Sequence, residues 1–217
     1  MLYRLGDFDF DITCRSSYAA KKLEPYAVPS GTPELCIEIT DELLEAEDKI
    51  SQAEQGVKFG KGSLEFTAIH RQIADWLPHR GAFVMHSAII SVGGSGVAFS
   101  AHSGTGKTTH MLLWRKLLGD KLSIINGDKP IIRFFDNEPD TAYAYGTPWN
   151  GKEGFGENSR VKLENICLIE RSEQNSVELL SASDAVDLAF NQTYMPRSPE
   201  GAVATMSLMN RLLGCCR

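Results

Sequence analysis

The chain has 217 residues, 42% of them apolar and 23% charged, which suits one good core or a core with a smaller appendage and excludes global disorder. Its 28 acidic and 22 basic residues leave a net charge of −6, so no nucleic acid and no anionic membrane is expected as partner, and any phosphate has to be bound locally. Acids in the opening Met1-Leu-Tyr-Arg-Leu-Gly-Asp-Phe-Asp break the apolar core that a secretory signal needs, and the five cysteines (Cys14, Cys36, Cys167, Cys215, Cys216) lack metal-ligand spacing and read as reduced thiols, so a cytoplasmic location is expected.

Residues 1 to about 35 read as irregular and strand-like, with Phe8-Asp-Phe-Asp-Ile12 alternating before a Pro/Gly-rich run from Pro25 to Pro33. Leu35–Ile39 reads as a strand, and Thr40-Asp41 opens an acidic helix to about Gln55 whose acids form a solvated face. From Ser63 to Leu77 the apolar residues Leu64, Phe66, Ile69, Ile73, Trp76 and Leu77 follow helical spacing, ended by Pro78. The expected division is a strand- and loop-rich portion over 1–62 and a core over 63–217.

Between Gly81 and Gly106 there is no Asp, Glu, Lys or Arg, a run long enough to span a bilayer. Gly93-Gly94-Ser95-Gly96 interrupts it, and both halves are rich in Val, Ile and Phe, so two buried strands joined by a tight turn are expected. The order that follows is a strand over Val97–Ser100, a glycine loop, a helix from Lys107 to Leu118 and a strand over Leu122–Asn126, which predicts a right-handed parallel unit. Further strands are expected near 130–135, 141–145 and 166–170, and helices near 183–191 and 201–213, giving an α/β (mixed α+β) fold.

The loop Ala101-His-Ser-Gly-Thr-Gly-Lys-Thr108 carries the chemistry. A polyphosphate must be approached by several backbone N–H groups at once, and glycine permits that approach. Ser103, Gly104, Thr105, Gly106, Lys107, Thr108 and Thr109 are the expected nucleotide-binding residues, with Lys107 pairing the phosphates, Thr108 ligating Mg²⁺ and the following helix offering its N-terminal N–H groups. Ala101 stands where the pattern asks for its first glycine, a change that a loop with negative φ at that position tolerates.

Asp128 lies 20 positions after Thr108, at the expected carboxyl end of the next strand, where it can hold Mg²⁺ or accept a hydroxyl proton. A turn aspartate is the alternative. His86 begins the strand leading into the hairpin and is a structural or a catalytic histidine. Arg133, Lys152, Arg160 and Arg197 are basic groups that could neutralise a transferred phosphate. The turn Tyr145-Gly-Thr-Pro-Trp-Asn150 shapes a pocket or buries Trp149 in the core.

With these residues named, the chain resembles the HPr kinase/phosphorylase and phosphoenolpyruvate carboxykinase superfamily, in particular its small kinase-like members. The likeness rests on His86-Ser-Ala, Ala98-Phe-Ser, Ser103-Gly-Thr-Gly-Lys-Thr-Thr-His110 with Leu113-Trp114, Ile125-Asn-Gly-Asp-Lys-Pro130 and Tyr145-Gly-Thr-Pro-Trp-Asn-Gly-Lys-Glu153, spread over roughly residues 63 to 200. The resemblance implies a P-loop-containing HPr kinase/carboxykinase-like core that binds ATP, or another nucleoside triphosphate or pyrophosphate, with Mg²⁺ between Thr108 and Asp128. It also implies phosphoryl transfer to a hydroxyl acceptor on a protein, a peptide or a small molecule, with Asp128, His86 and Lys107 as catalytic residues.

Two departures stand out: the superfamily's kinases carry two adjacent aspartates where this chain has Gly127-Asp128, and Ala101 replaces a glycine. The expected continuation beyond Leu213-Gly-Cys-Cys-Arg217, the separate N-terminal regulatory domain and the C-terminal docking segment of HPr kinases are not seen, so HPr itself is not the expected acceptor. An ATP-dependent kinase is the leading expectation. A nucleotide-binding regulatory module without catalysis is the alternative, a carboxykinase-like enzyme a weaker one, and a homo-oligomer is compatible with each.

Overall fold

The computed structural model describes the backbone of residues 1–217 and all side chains except those of Glu54, Gln55 and Ala182. It is a mixed α/β fold in two compact units, Met1–Ala74 and Asp75–Arg217.

In the first unit, strands β1 (Leu2–Leu5) and β2 (Phe8–Thr13) form a hairpin, and β3 (Leu35–Glu38) adds to β2 in parallel. The hairpin turn is Gly6-Asp7, both at positive φ (63° and 60°), the conformation whose twist matches antiparallel strands. Helix α1 (Ser17–Leu23) lies in the stretch expected to be irregular. Its signal was a cap rather than a long periodicity: the Ser16 side chain accepts the Ala19 N–H, and only Ala19 and Leu23 are buried. Helix α2 (Asp41–Gln55) follows the expected span, but its acids do not all share the expected solvated face: Asp41, Glu42 and Glu45 are exposed while Glu47 is buried.

Helix α3 (Lys61–Trp76) shows the expected apolar face. The boundary between the units falls after Ala74, whereas 62/63 was expected. The reason is in α3 itself: Glu65, 2% exposed, accepts the backbone N–H groups of Arg15 and Ser16, and Arg71 pairs with buried Glu47 of α2 at 2.8 Å. Those partners tie the helix to the N-terminal unit, which helical periodicity does not reveal.

The second unit is built on a seven-stranded mixed sheet, in the order β4-β8-β9-β10-β6-β5-β7. Its strands are β4 (Ala82–Val84), β5 (Ser87–Val92), β6 (Ser95–Ser100), β7 (Leu122–Asn126), β8 (Ile131–Phe135), β9 (Glu138–Tyr145) and β10 (Arg160–Leu168). The uncharged run from Gly81 forms β4, β5 and β6, with Gly93 and Gly94 at φ 59° and 86° in the turn. Among the described residues no helix is long and apolar enough to cross a membrane.

β6 and β7 both pair antiparallel with β5, so they are parallel to each other with β5 inserted between them. Helix α4 (Lys107–Leu118) connects them over the span read from the sequence. β5 is apolar at consecutive positions because both faces are covered: Ala88 and Ile90 pack with Met111 of α4, and Ile89 with Leu208 and Leu212 of α6 (Pro199–Cys215). β10 begins at Arg160, earlier than the expected 166. Its first half alternates, with Val161 and Leu163 buried between exposed Arg160, Lys162 and Glu164.

The first of the two strands expected in the uncharged run is interrupted at Met85-His86. The β7–β8 stretch is interrupted at Gly127–Pro130, and the two breaks face each other: Ser87 N–H donates to Asp128 C=O at 2.9 Å and Met85 N–H to Pro130 C=O at 3.3 Å. Each ladder therefore opens at the same level, and the residues freed from pairing there turn their side chains to other work.

Candidate active site

Ser87 pairs with Ser100, and Ile89 with Asn126, so the carboxyl ends of β6 and β7 and the amino end of β5 share one sheet edge. Ligands in open α/β sheets bind outside such carboxyl ends. The loop 101–106 leaves this edge from β6, Asp128 from β7 and His86 from β5.

Gly104 and Gly106 have φ of 78° and 126°, and a Cβ at either would meet nothing within 4 Å. Glycine is required here by backbone conformation, and the space beside it is open to a ligand. Ala101 has no positive φ, as its side chain demands, and is 8% exposed. Ser103 and Thr109 are exposed; Thr105 and Thr108 are half-buried.

Lys107 is 8% exposed, and its Nζ donates to the Ala101 carbonyl at 2.7 Å and the His102 carbonyl at 3.5 Å. Burial pushes its pKa down, and the Asp128 charge only partly opposes this. A cation desolvated and held by main-chain carbonyls is the arrangement that an incoming phosphate would relieve.

Asp128 Oδ1 lies 3.1 Å from His86 Nε2, and the other ring nitrogen, Nδ1, is 3.1 Å from Gln192 Oε1. Burial alone would raise the Asp128 pKa, but the His86 hydrogen bond and the charges of Lys129, His86 and Lys107 together bring it below the ordinary carboxylate value. Asp128 is therefore an ionised carboxylate at neutral pH. The bend that presents it is made by Asn126, fully buried, whose Oδ1 accepts the Asp128 and Lys129 N–H groups at 2.8 Å while its Nδ2 donates to Thr147.

Gln192, 6% exposed at the end of helix α5 (Ala182–Asn191), grips His86 twice, since its carbonyl also accepts the His86 N–H at 2.7 Å. Its Nε2 lies 3.4 Å from Nδ1 of His102 in the glycine loop. No spacing in the sequence points to Gln192, which is 106 residues from His86.

The other basic residues divide. Arg133 lies over the Phe135 ring at 4.6 Å, and Arg160 donates to the Tyr145 hydroxyl at 2.9 Å, so both belong to an aromatic face on β8–β10. Lys152 and Arg197 are exposed. Trp149, 7% exposed, is in the core, with its carbonyl accepting the Lys129 N–H at 3.0 Å. A cavity of about 230 Å³ lined by Arg115, Leu122, Ile124 and Phe155 shares no residue with the His86–Asp128 constellation.

Gly127, read from the sequence as a departure from paired aspartates, is held by a steric constraint. A Cβ there would lie 2.8 Å from the Asn150 carbonyl oxygen and 3.1 Å from that of Phe155, so the bend has room for one carboxylate only.

Fold and site together define a mixed α/β protein with a glycine-rich strand–loop–helix unit and a histidine–aspartate pair at one sheet edge. No known family's profile matches the chain, and no curated protein matches it.

Proposed function

We propose that loop 101–108 binds the phosphates of a nucleotide and that Asp128 and His86 prepare a hydroxyl acceptor for phosphoryl transfer, an ATP-dependent activity of HPr-kinase-like type. The observation that carries the reading is the buried Lys107, held by the Ala101 carbonyl of the glycine loop, with the His86–Asp128 pair on the same sheet edge. Lys107 offsets negative charge on the transferred group. Asp128 takes up the acceptor's proton, and Gln192 keeps the His86 ring against the carboxylate. Thr108 and Asp128 are the residues that would hold Mg²⁺, whose charge screens the phosphates when bound. A half-buried hydroxyl and an ionised carboxylate suit that hard cation.

The deciding experiment is thermal unfolding of the whole chain with and without Mg²⁺ plus ATP, ADP, GTP or pyrophosphate. Ligand at 100 times its Kd adds about 2.7 kcal/mol. A Mg²⁺-dependent rise with one nucleotide selects the donor for a screen of hydroxyl acceptors, and no rise with any of the four overturns the reading.

One observation favours a second reading, a nucleotide-binding regulatory module without catalysis. Gly127 is packed where a second carboxylate would stand, leaving Asp128 to serve metal and proton in turn. Nucleotide-dependent stabilisation with no phosphoryl transfer to any acceptor and no hydrolysis would select this module.

A further inference from the structure

Strand β10 runs parallel to β6 and pairs Leu168 with Ser100, and the ladder continues one step further where Ile169 N–H donates to the Ser100 carbonyl at 2.9 Å. The chain segments that follow these two strands therefore leave the sheet side by side. One is the glycine loop; the other brings Arg171 against it. The Arg171 Nη2 donates to the Gly104 carbonyl at 2.6 Å and its Nε to the Thr105 carbonyl at 3.4 Å, so one guanidinium spans two successive carbonyls. The donor of the shorter bond carries the guanidinium charge, which strengthens it.

We infer that Arg171 is a positioning residue that clasps the glycine loop at Gly104 and Thr105 and keeps it in the conformation that receives phosphate. The inference rests on the nucleotide reading for its purpose, and on the geometry alone for its existence. A loop that offers N–H groups to an anion has to keep its carbonyls away from that anion, because a carbonyl oxygen turned toward phosphate repels it. Glycine makes this loop adaptable, at an entropic cost in order.

Two cations share the restraint. Lys107 holds the Ala101 and His102 carbonyls, and Arg171 holds those of Gly104 and Thr105. When Lys107 turns to a phosphate it gives up its carbonyls, whereas Arg171 can keep its own and preserve the second half of the loop. The fork matters as well as the charge, since it sets Nε and Nη2 at a fixed spacing, whereas an ammonium on a flexible stem imposes no such spacing on the carbonyls it meets.

The test compares the whole wild-type chain with Arg171→Ala and Arg171→Lys, first by amide hydrogen exchange over residues 101–108 without ligand and then by titration with pyrophosphate and with Mg²⁺-ADP. The Arg171→Ala chain should keep its unfolding midpoint, because the side chain is exposed. Its loop amides should exchange about tenfold faster and its affinity for both ligands should fall about tenfold, the size of one charged hydrogen bond. Arg171→Lys should recover part of the affinity through its charge and little of the exchange protection.

Unchanged loop exchange in Arg171→Ala overturns the clasp, whatever the ligands do. Full protection in Arg171→Lys overturns the two-carbonyl geometry. Faster exchange in Arg171→Ala beside a wild-type chain that binds neither ligand supports the clasp and removes the nucleotide reading instead.

Discussion

Lys107 and Asp128 carry opposite lessons about burial. Desolvation depresses the Lys107 pKa, so in the free protein its charged form costs stability, and that cost is relieved as pH rises through its folded value toward the unfolded 10.5. The stability of the wild type relative to Lys107→Met should therefore grow as pH rises through the folded value toward 10.5, and a pH series of denaturant midpoints checks it. The same substitution, like Lys107→Ala, should abolish the nucleotide-dependent rise in unfolding temperature; retained binding would remove Lys107 from the site. For Asp128 the sign reverses. Its folded pKa lies below 3.8, so its contribution to stability is present above that value and is lost as pH falls through the folded one. Wild type should lose stability more steeply than Asp128→Asn on acidification below about pH 4. Asp128→Asn should also bind nucleotide while failing to transfer phosphate, and full activity in that variant would exclude Asp128 as the base.

At the scale of elements, the site depends on where strands stop. Asp128 and His86 are available because β4–β5 and β7–β8 are interrupted side by side, and Asn126 shapes the second interruption with its own side chain. Gly127 is the tightest point of that bend. Introducing a second acid with Gly127→Asp should destabilise the chain by about 1–3 kcal/mol through overpacking against the Asn150 and Phe155 carbonyls, without raising activity. A gain of transfer at unchanged stability would contradict the steric account. In the first unit the short helix α1 depends on its cap, and Ser16→Ala should cost about 1 kcal/mol by denaturant unfolding.

For the whole molecule, nucleotide protection in hydrogen exchange should gather within Asp75–Arg217, at the glycine loop and around residues 126–129, because every residue of the constellation belongs to that unit. The glycine loop, helix α4 and strand β7 were legible in the sequence because each signal is local: positive-φ glycines, a helical run and a short apolar run between turns. Alternation in β10 was equally local, and its early half shows in Val161 and Leu163. Other features had no local signature. The unit boundary depends on Glu65 reaching Arg15 and Ser16, the insertion of β5 between β6 and β7 is long-range pairing, and Gln192 and Arg171 meet the loop from 90 and 67 residues away. Residue types and local backbone for a glycine loop before a helix and for a strand-end carboxylate follow from the sequence alone. Only the tertiary structure decided that Asp128 faces His86, that Gly127 leaves no space for a second acid and that an arginine holds the loop, because hydrogen bonding and exclusion at such distances depend on how strands pair.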